Sequence, residues 1–159
     1  MVAPSTQIKQ FQADRRLSVE RTARELPKGM MKKLLVSVVE DDQSFRDSMI
    51  SLMMSMGYHV ESFSSAGDFL ASPRLAETAC LVADVHMPTM TGIELHRELL
   101  DAGCAIPTIL VTAYPNEGDR ERALNEGVVC YLRKPVDEQV LKRCLHAALT
   151  VHEPTEERS

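Results

Sequence analysis

No stretch of this chain approaches the roughly 18 consecutive apolar residues that a membrane span requires, and the first 29 residues lack the apolar centre and small-residue cleavage site of a secretory signal. The expected location is therefore the cytoplasm, with no membrane partner. Cys-x-x-Cys pairs are missing too. The four cysteines, Cys80, Cys104, Cys130 and Cys144, stand far apart, and three of them fall in apolar segments. Four reduced, buried thiols are expected, in place of metal ligands or disulfides. The five histidines stand at no usual ligand spacing, and no segment repeats. Excess positive charge is absent from the body of the chain. Residues 34–159 hold 10 Lys and Arg against 20 Asp and Glu, a balance that opposes non-specific nucleic-acid binding. The basic residues gather instead in residues 1–33, with 8 against 3.

What is present suits one domain: 159 residues, of which 44% are apolar, can fill a single core. Residues 1–33 read as a basic, mobile leader, with Met30 and Met31 as alternative translation starts, and residues 151–159 as a polar tail. Between them, over residues 34–150, short β-branched runs alternate with segments of helical period. That pattern predicts an α/β fold with a parallel sheet flanked by helices. Five strands are expected: Leu34–Val39, His59–Phe63, Cys80–Asp84, Thr108–Thr112 and Val129–Leu132. LLVSVV, CLVAD and TILVT are apolar nearly throughout, as strands covered on both faces are. Phe45, Met49, Leu52, Met53 and Met56 draw a helical stripe that Gly57 stops. Ile93, Leu95, Leu99 and Leu100 mark the third helix, within Thr91–Ala102. The last helix carries Val136, Val140, Leu141, Cys144, Leu145, Ala148 and Leu149 on one face. The fourth, Asn116–Glu126, has Ala123 and Leu124 as its apolar anchors and is expected to be the least firmly held.

The polar residues of interest fall after strands: Glu40, Asp41 and Asp42 after the first, Asp84 ending the third, Thr112 ending the fourth, Lys134 after the fifth. Open parallel sheets bind ligands at that carboxyl edge. Taken alone, Glu-Asp-Asp after a strand reads as a solvated turn. Carboxylates held together raise one another's pKa, and a hard cation relieves the conflict. Magnesium is suited to a few carboxylates plus waters and phosphate oxygens. Asp84 ends an apolar strand, and Met87-Pro88 then turns the chain. A carboxylate so placed can attack phosphorus to form an acyl phosphate, with a cation screening the repulsion between them. A Thr hydroxyl can donate to a phosphoryl oxygen, and a Lys ammonium can pair first with the carboxylate and then with the phosphate.

VSVVEDD, LVADVHMPTMTGIEL, PTILVTA and YLRKP, in that order, resemble the receiver domains of two-component response regulators over residues 34–149. The stretch from Val60 to Ala66 adds a likeness to receivers that often precede a helix-turn-helix output domain. The resemblance implies a flavodoxin-like, doubly wound (βα)5 sheet in strand order 2-1-3-4-5. It implies that Asp84 is the phosphoacceptor, that Glu40, Asp41 and Asp84 hold Mg2+, and that His86 adds a backbone carbonyl. It makes Thr112 the switch hydroxyl, Lys134 the phosphate-pairing ammonium, Tyr131 the switch aromatic, and Lys134–Pro135 a cis peptide. Glu40 stands where the family more often has Asp.

A sensor histidine kinase or small phosphodonor is the implied donor, docking at the first helix near Phe45. A downstream protein would read the fourth helix, fifth strand and fifth helix, and phosphorylation can drive homodimerisation in such proteins. About ten residues follow the last helix, so a single-domain switch with no direct DNA binding is expected. A phosphorelay intermediate and a pseudo-receiver that binds without phosphorylation are the alternatives. The chain is expected to be a switch and not an enzyme: dehalogenase-type phosphohydrolases place Asp two residues after the nucleophile, and His86 stands there.

Overall fold

The computed structural model describes residues 34–150; the leader and tail lie outside the described residues. Five strands and five α-helices alternate: β1 (Leu35–Val39), α1 (Gln43–Ser55), β2 (His59–Phe63), α2 (Ala66–Leu70), β3 (Thr78–Asp84), α3 (Gly92–Asp101), β4 (Thr108–Thr112), α4 (Glu117–Asn125), β5 (Cys130–Arg133) and α5 (Glu138–Thr150). A short 3-10 turn, Leu75–Glu77, precedes β3. All the pairings are parallel, in the order β2-β1-β3-β4-β5. This is the flavodoxin-like order that the resemblance implied.

Side-chain alternation across the strands divides the core in two. On one face Val36, Val38, Val82, Ile109 and Val111 meet Met49 and Met53 of α1 and Leu141 and Leu145 of α5. On the other, Val39, Leu81, Ala83 and Leu110 meet Phe69 of α2, Leu95 and Leu99 of α3, and Ala123 of α4. Each large side chain fully removed from water contributes about 1.5–3 kcal/mol before entropy is counted. Ser37, a polar residue inside β1, shares a buried hydrogen bond with the Thr78 hydroxyl at 2.8 Å.

Local signals set the helix ends. Asp42 caps α1 through the Phe45 N–H, and Gly57, at φ 100°, turns the chain after it. Thr91 and Glu94 form a reciprocal capping box on α3, and Asn116 caps α4 through Asp119 N–H. Among the described residues no helix is long and apolar enough to cross a membrane.

One expectation about the core is corrected. Cys130 of β5 and Cys144 of α5 are disulfide-bonded, with their Cα atoms 6.2 Å apart, while Cys80 and Cys104 are buried thiols. The pairing arises because α5 folds back over the edge strand that precedes it, a proximity that linear spacing does not reveal.

Candidate functional site

The carboxyl ends of β1, β3 and β4 and the loop after β5 converge on one cluster. Oxygens of Glu40, Asp41 and Asp84 lie within 4.8 Å of one another. Glu40 and Asp84 are buried and Asp41 is exposed, so the cluster opens to solvent on one side. Hard carboxylate oxygens with an open flank fit a magnesium-type ion, which keeps part of its water shell.

Burial pushes the Glu40 carboxyl above the ordinary carboxylate range, and nearby Asp84 pushes the same way; the Asp42 N–H and Lys134 pull it back. Those opposing contacts are short. Asp42 N–H donates to Glu40 Oε2 at 3.0 Å, and the Lys134 ammonium donates to Glu40 Oε1 at 2.9 Å. The ammonium stands 3.7 Å from Asp84 Oδ2. Lys134 thus pairs more closely with Glu40 than with Asp84. A divalent ion held by Glu40 would share that carboxylate with the ammonium.

The backbone holds these groups firmly. Val85 N–H donates to Val111 O, Gly92 N–H to Val85 O, and Lys134 N–H to Thr112 O at 2.8 Å. Lys134–Pro135 is cis. Gly92 has no room for a side chain, since a Cβ there would lie 2.4 Å from the Asp84 carbonyl oxygen. Helix α3 therefore starts in contact with the backbone of the candidate nucleophile, a close approach that glycine permits.

Thr112 is fully buried, and its hydroxyl accepts from Tyr114 N–H at 3.0 Å. The His86 N–H points back to Asp84 Oδ1 at 3.4 Å. The His86 and Tyr114 rings meet edge to face at the exposed rim, their centroids 6.0 Å apart. Tyr131 is half-buried on β5, and its hydroxyl accepts from Asn116 N–H at 3.4 Å. Beside it a groove of about 430 Å³ is lined by Pro115, Asn116, Glu117, Arg120, Tyr131 and Arg133.

Two neighbours were not assigned these contacts from the sequence. The Lys134 ammonium sits 4.2 Å from the Phe45 ring centroid, a cation–π contact that covers one side of the charge. The Arg46 guanidinium donates to the Glu40 carbonyl at 2.7 Å, tying α1 to the end of β1. Phe45 was legible as the start of an apolar stripe, but Arg46 carried no signal beyond its charge.

A family model for the response regulator receiver domain matches residues 36–146. Nodulation protein W of Bradyrhizobium diazoefficiens is 38% identical over 116 residues, which cover 73% of this chain and 51% of that protein. Response regulator protein TodT of Pseudomonas putida is 33% identical over 115 residues, covering 72% and 51%. The chain thus spans about half the length of the curated relatives it matches. Among solved structures, a response regulator receiver protein from Burkholderia phymatum superposes with a TM-score of 0.64 at 38% identity, covering 74% of this chain and 95% of that one.

Proposed function

The chain belongs to the response regulator receiver domain family, and from that premise we propose that it accepts a phosphoryl group on Asp84 and relays its arrival to the face formed by α4, β5 and α5. The observation that carries this reading is the convergence of Glu40, Asp41 and Asp84 with the Lys134 ammonium between two of them. An Asp84 oxygen attacks phosphorus, the bond from phosphorus to the donor histidine or small-molecule leaving group breaks, and an acyl phosphate forms. Mg2+, held by Glu40, Asp41 and Asp84 with the His86 carbonyl, would offset the negative charge that gathers there.

Lys134 then exchanges a carboxylate partner for a phosphoryl oxygen, and the Thr112 hydroxyl leaves the Tyr114 amide to donate to another. The space that Thr112 gives up admits Tyr131, whose hydroxyl releases the Asn116 amide. A redistribution worth about 1–3 kcal/mol is the usual size of such coupling. The donor is a sensor kinase docking along α1, and the reader is a protein that recognises the rearranged face. The chain acts once per phosphoryl group and slowly sheds it, as a switch.

Incubation with acetyl phosphate and Mg2+ should add the mass of one phosphoryl group to the full chain and none to Asp84→Asn. Beryllofluoride with Mg2+ should shift the NMR signals of Thr112 and Tyr131 in wild type alone. If neither protein responds, phosphoryl acceptance on Asp84 is wrong and binding without phosphorylation replaces it; if both gain the phosphoryl mass alike, the acceptor is a residue other than Asp84. Lys134→Ala should still accept phosphate while losing the Tyr131 response. It should also bind Mg2+ more tightly, because Glu40 is then released from its ammonium.

A further inference from the structure

Cys130 and Cys144 lie outside the acidic pocket, yet the bond between them encloses part of it. Their separation of 14 residues spans Tyr131, Arg133, Lys134 and Pro135. Cys130 is half-buried next to Tyr131, and Cys144 is buried against the sheet on α5, among Leu141, Leu145 and Ala148. Strand β5 is an edge strand with no fully buried residue, and Arg133 in it is exposed. The cross-link therefore ties a half-covered edge strand to a firmly packed helix, and the loop it closes carries the ammonium and the aromatic of the proposed switch.

We infer that Cys130 and Cys144 form a reversible oxidation site whose oxidant is a small hydroperoxide, and that its state sets how freely the segment bearing Tyr131 and Lys134 moves. Cys130, the more exposed of the two, attacks as thiolate; the peroxide O–O bond breaks, one water leaves, and a sulfenic acid forms. Cys144 gives up its proton and attacks that sulfur, forming the S–S bond and expelling a second water. Two thiols thereby lose two electrons and two protons to hydrogen peroxide, which becomes two waters. A dithiol reductant returns both thiols by exchange. In a reducing compartment such a bond is a transient, signal-bearing modification. Its meaning for signalling rests on the proposed switch, but the chemistry does not.

The full chain, reduced and then treated with hydrogen peroxide, should yield on alkylation and digestion a peptide joining Cys130 to Cys144, which dithiothreitol removes. Closing a loop of this size should raise Tm by on the order of 10 °C in wild type and not in Cys130→Ser or Cys144→Ser. Amide exchange over residues 131–134 should slow on oxidation. Both cysteines remaining open to alkylation, a cross-link between two chains, or unchanged exchange over that segment would each overturn the inference. Asp84→Asn should oxidise as wild type does. Normal oxidation together with failed phosphoryl acceptance would sink the switch and leave the oxidation site standing.

Discussion

Two parts of this molecule are held in different ways. In the firm part, every residue of β1, β3 and β4 is buried, and α5 buries Leu141, Cys144, Leu145, Ala148 and Leu149. In the corner formed by α4 and β5, the helix buries Ala123 alone, and no residue of the strand is fully covered. The acidic pocket sits mostly on the firm part, whereas the groove beside Tyr131 belongs to the corner. The proposed chemistry, which needs fixed distances, thus falls on the packed core, and the proposed output face is drawn from elements with little burial to lose.

The strongest test of this contrast compares matched truncations. Leu145→Ala should destabilise the protein by about 2–5 kcal/mol in urea unfolding. Leu124→Ala, on α4, should cost about 1 kcal/mol or less. Equal costs would erase the distinction. Next in size, Gly92→Ala should cost about 1–3 kcal/mol, because the added methyl meets the Asp84 backbone and has to displace it. The same variant should accept phosphate more slowly, measured with acetyl phosphate, since the shift falls on the proposed phosphoacceptor. A smaller effect should appear in hydrogen exchange: amides of α4 open locally, while those of α5 approach the protection of global unfolding.

Both parts were legible in the sequence as elements, with strand bounds displaced by one or two residues in each. Strands β2 and β4 run as expected, β3 begins two residues earlier than its pattern suggested, at Thr78, β1 begins one residue later, at Leu35, and β5 is displaced by one residue at both ends, to Cys130–Arg133. Its partly covered residues leave the boundary to be fixed by pairing, Ile109 with Cys130 and Thr112 with Arg133. The weak hold on α4 was readable from its two apolar residues. Helix α2 went unremarked: five residues long, it has too few turns to show a period, though it buries Phe69 completely. The meeting of Glu40, Asp41, Asp84 and Lys134 was legible because each ends or follows a strand, and parallel strands bring those ends together. Which acid the lysine would choose was not. Pairing of Lys134 with Glu40 depends on depth within the pocket and on the Phe45 ring, both properties of the packed state.

The smallest effect tests the seam between the two parts. Arg97 of α3 pairs with Glu126, just past α4, at 3.3 Å. His96 lies buried beside them, and Glu126 Oε1 is buried without a hydrogen-bond partner. Burial pushes the His96 imidazole below its ordinary value of 6.5; Glu126 opposes that shift and Arg97 reinforces it. A depressed histidine means that the unfolded chain takes up a proton before the folded one does. The stability this confers is present above pH 6.5 and is lost as pH falls through the folded value. Wild type should therefore lose more stability across that interval than His96→Leu, compared by urea midpoints at pH 7.5 and at successively lower pH. Exchange in α4 should quicken over the same interval, because a protonated imidazole beside Arg97 disfavours the packed seam. If instead the wild type gained stability relative to His96→Leu on acidification, the imidazolium would be pairing with the unused oxygen of Glu126. The corner would then be fastened more tightly by acid, and the contrast between the two parts would narrow.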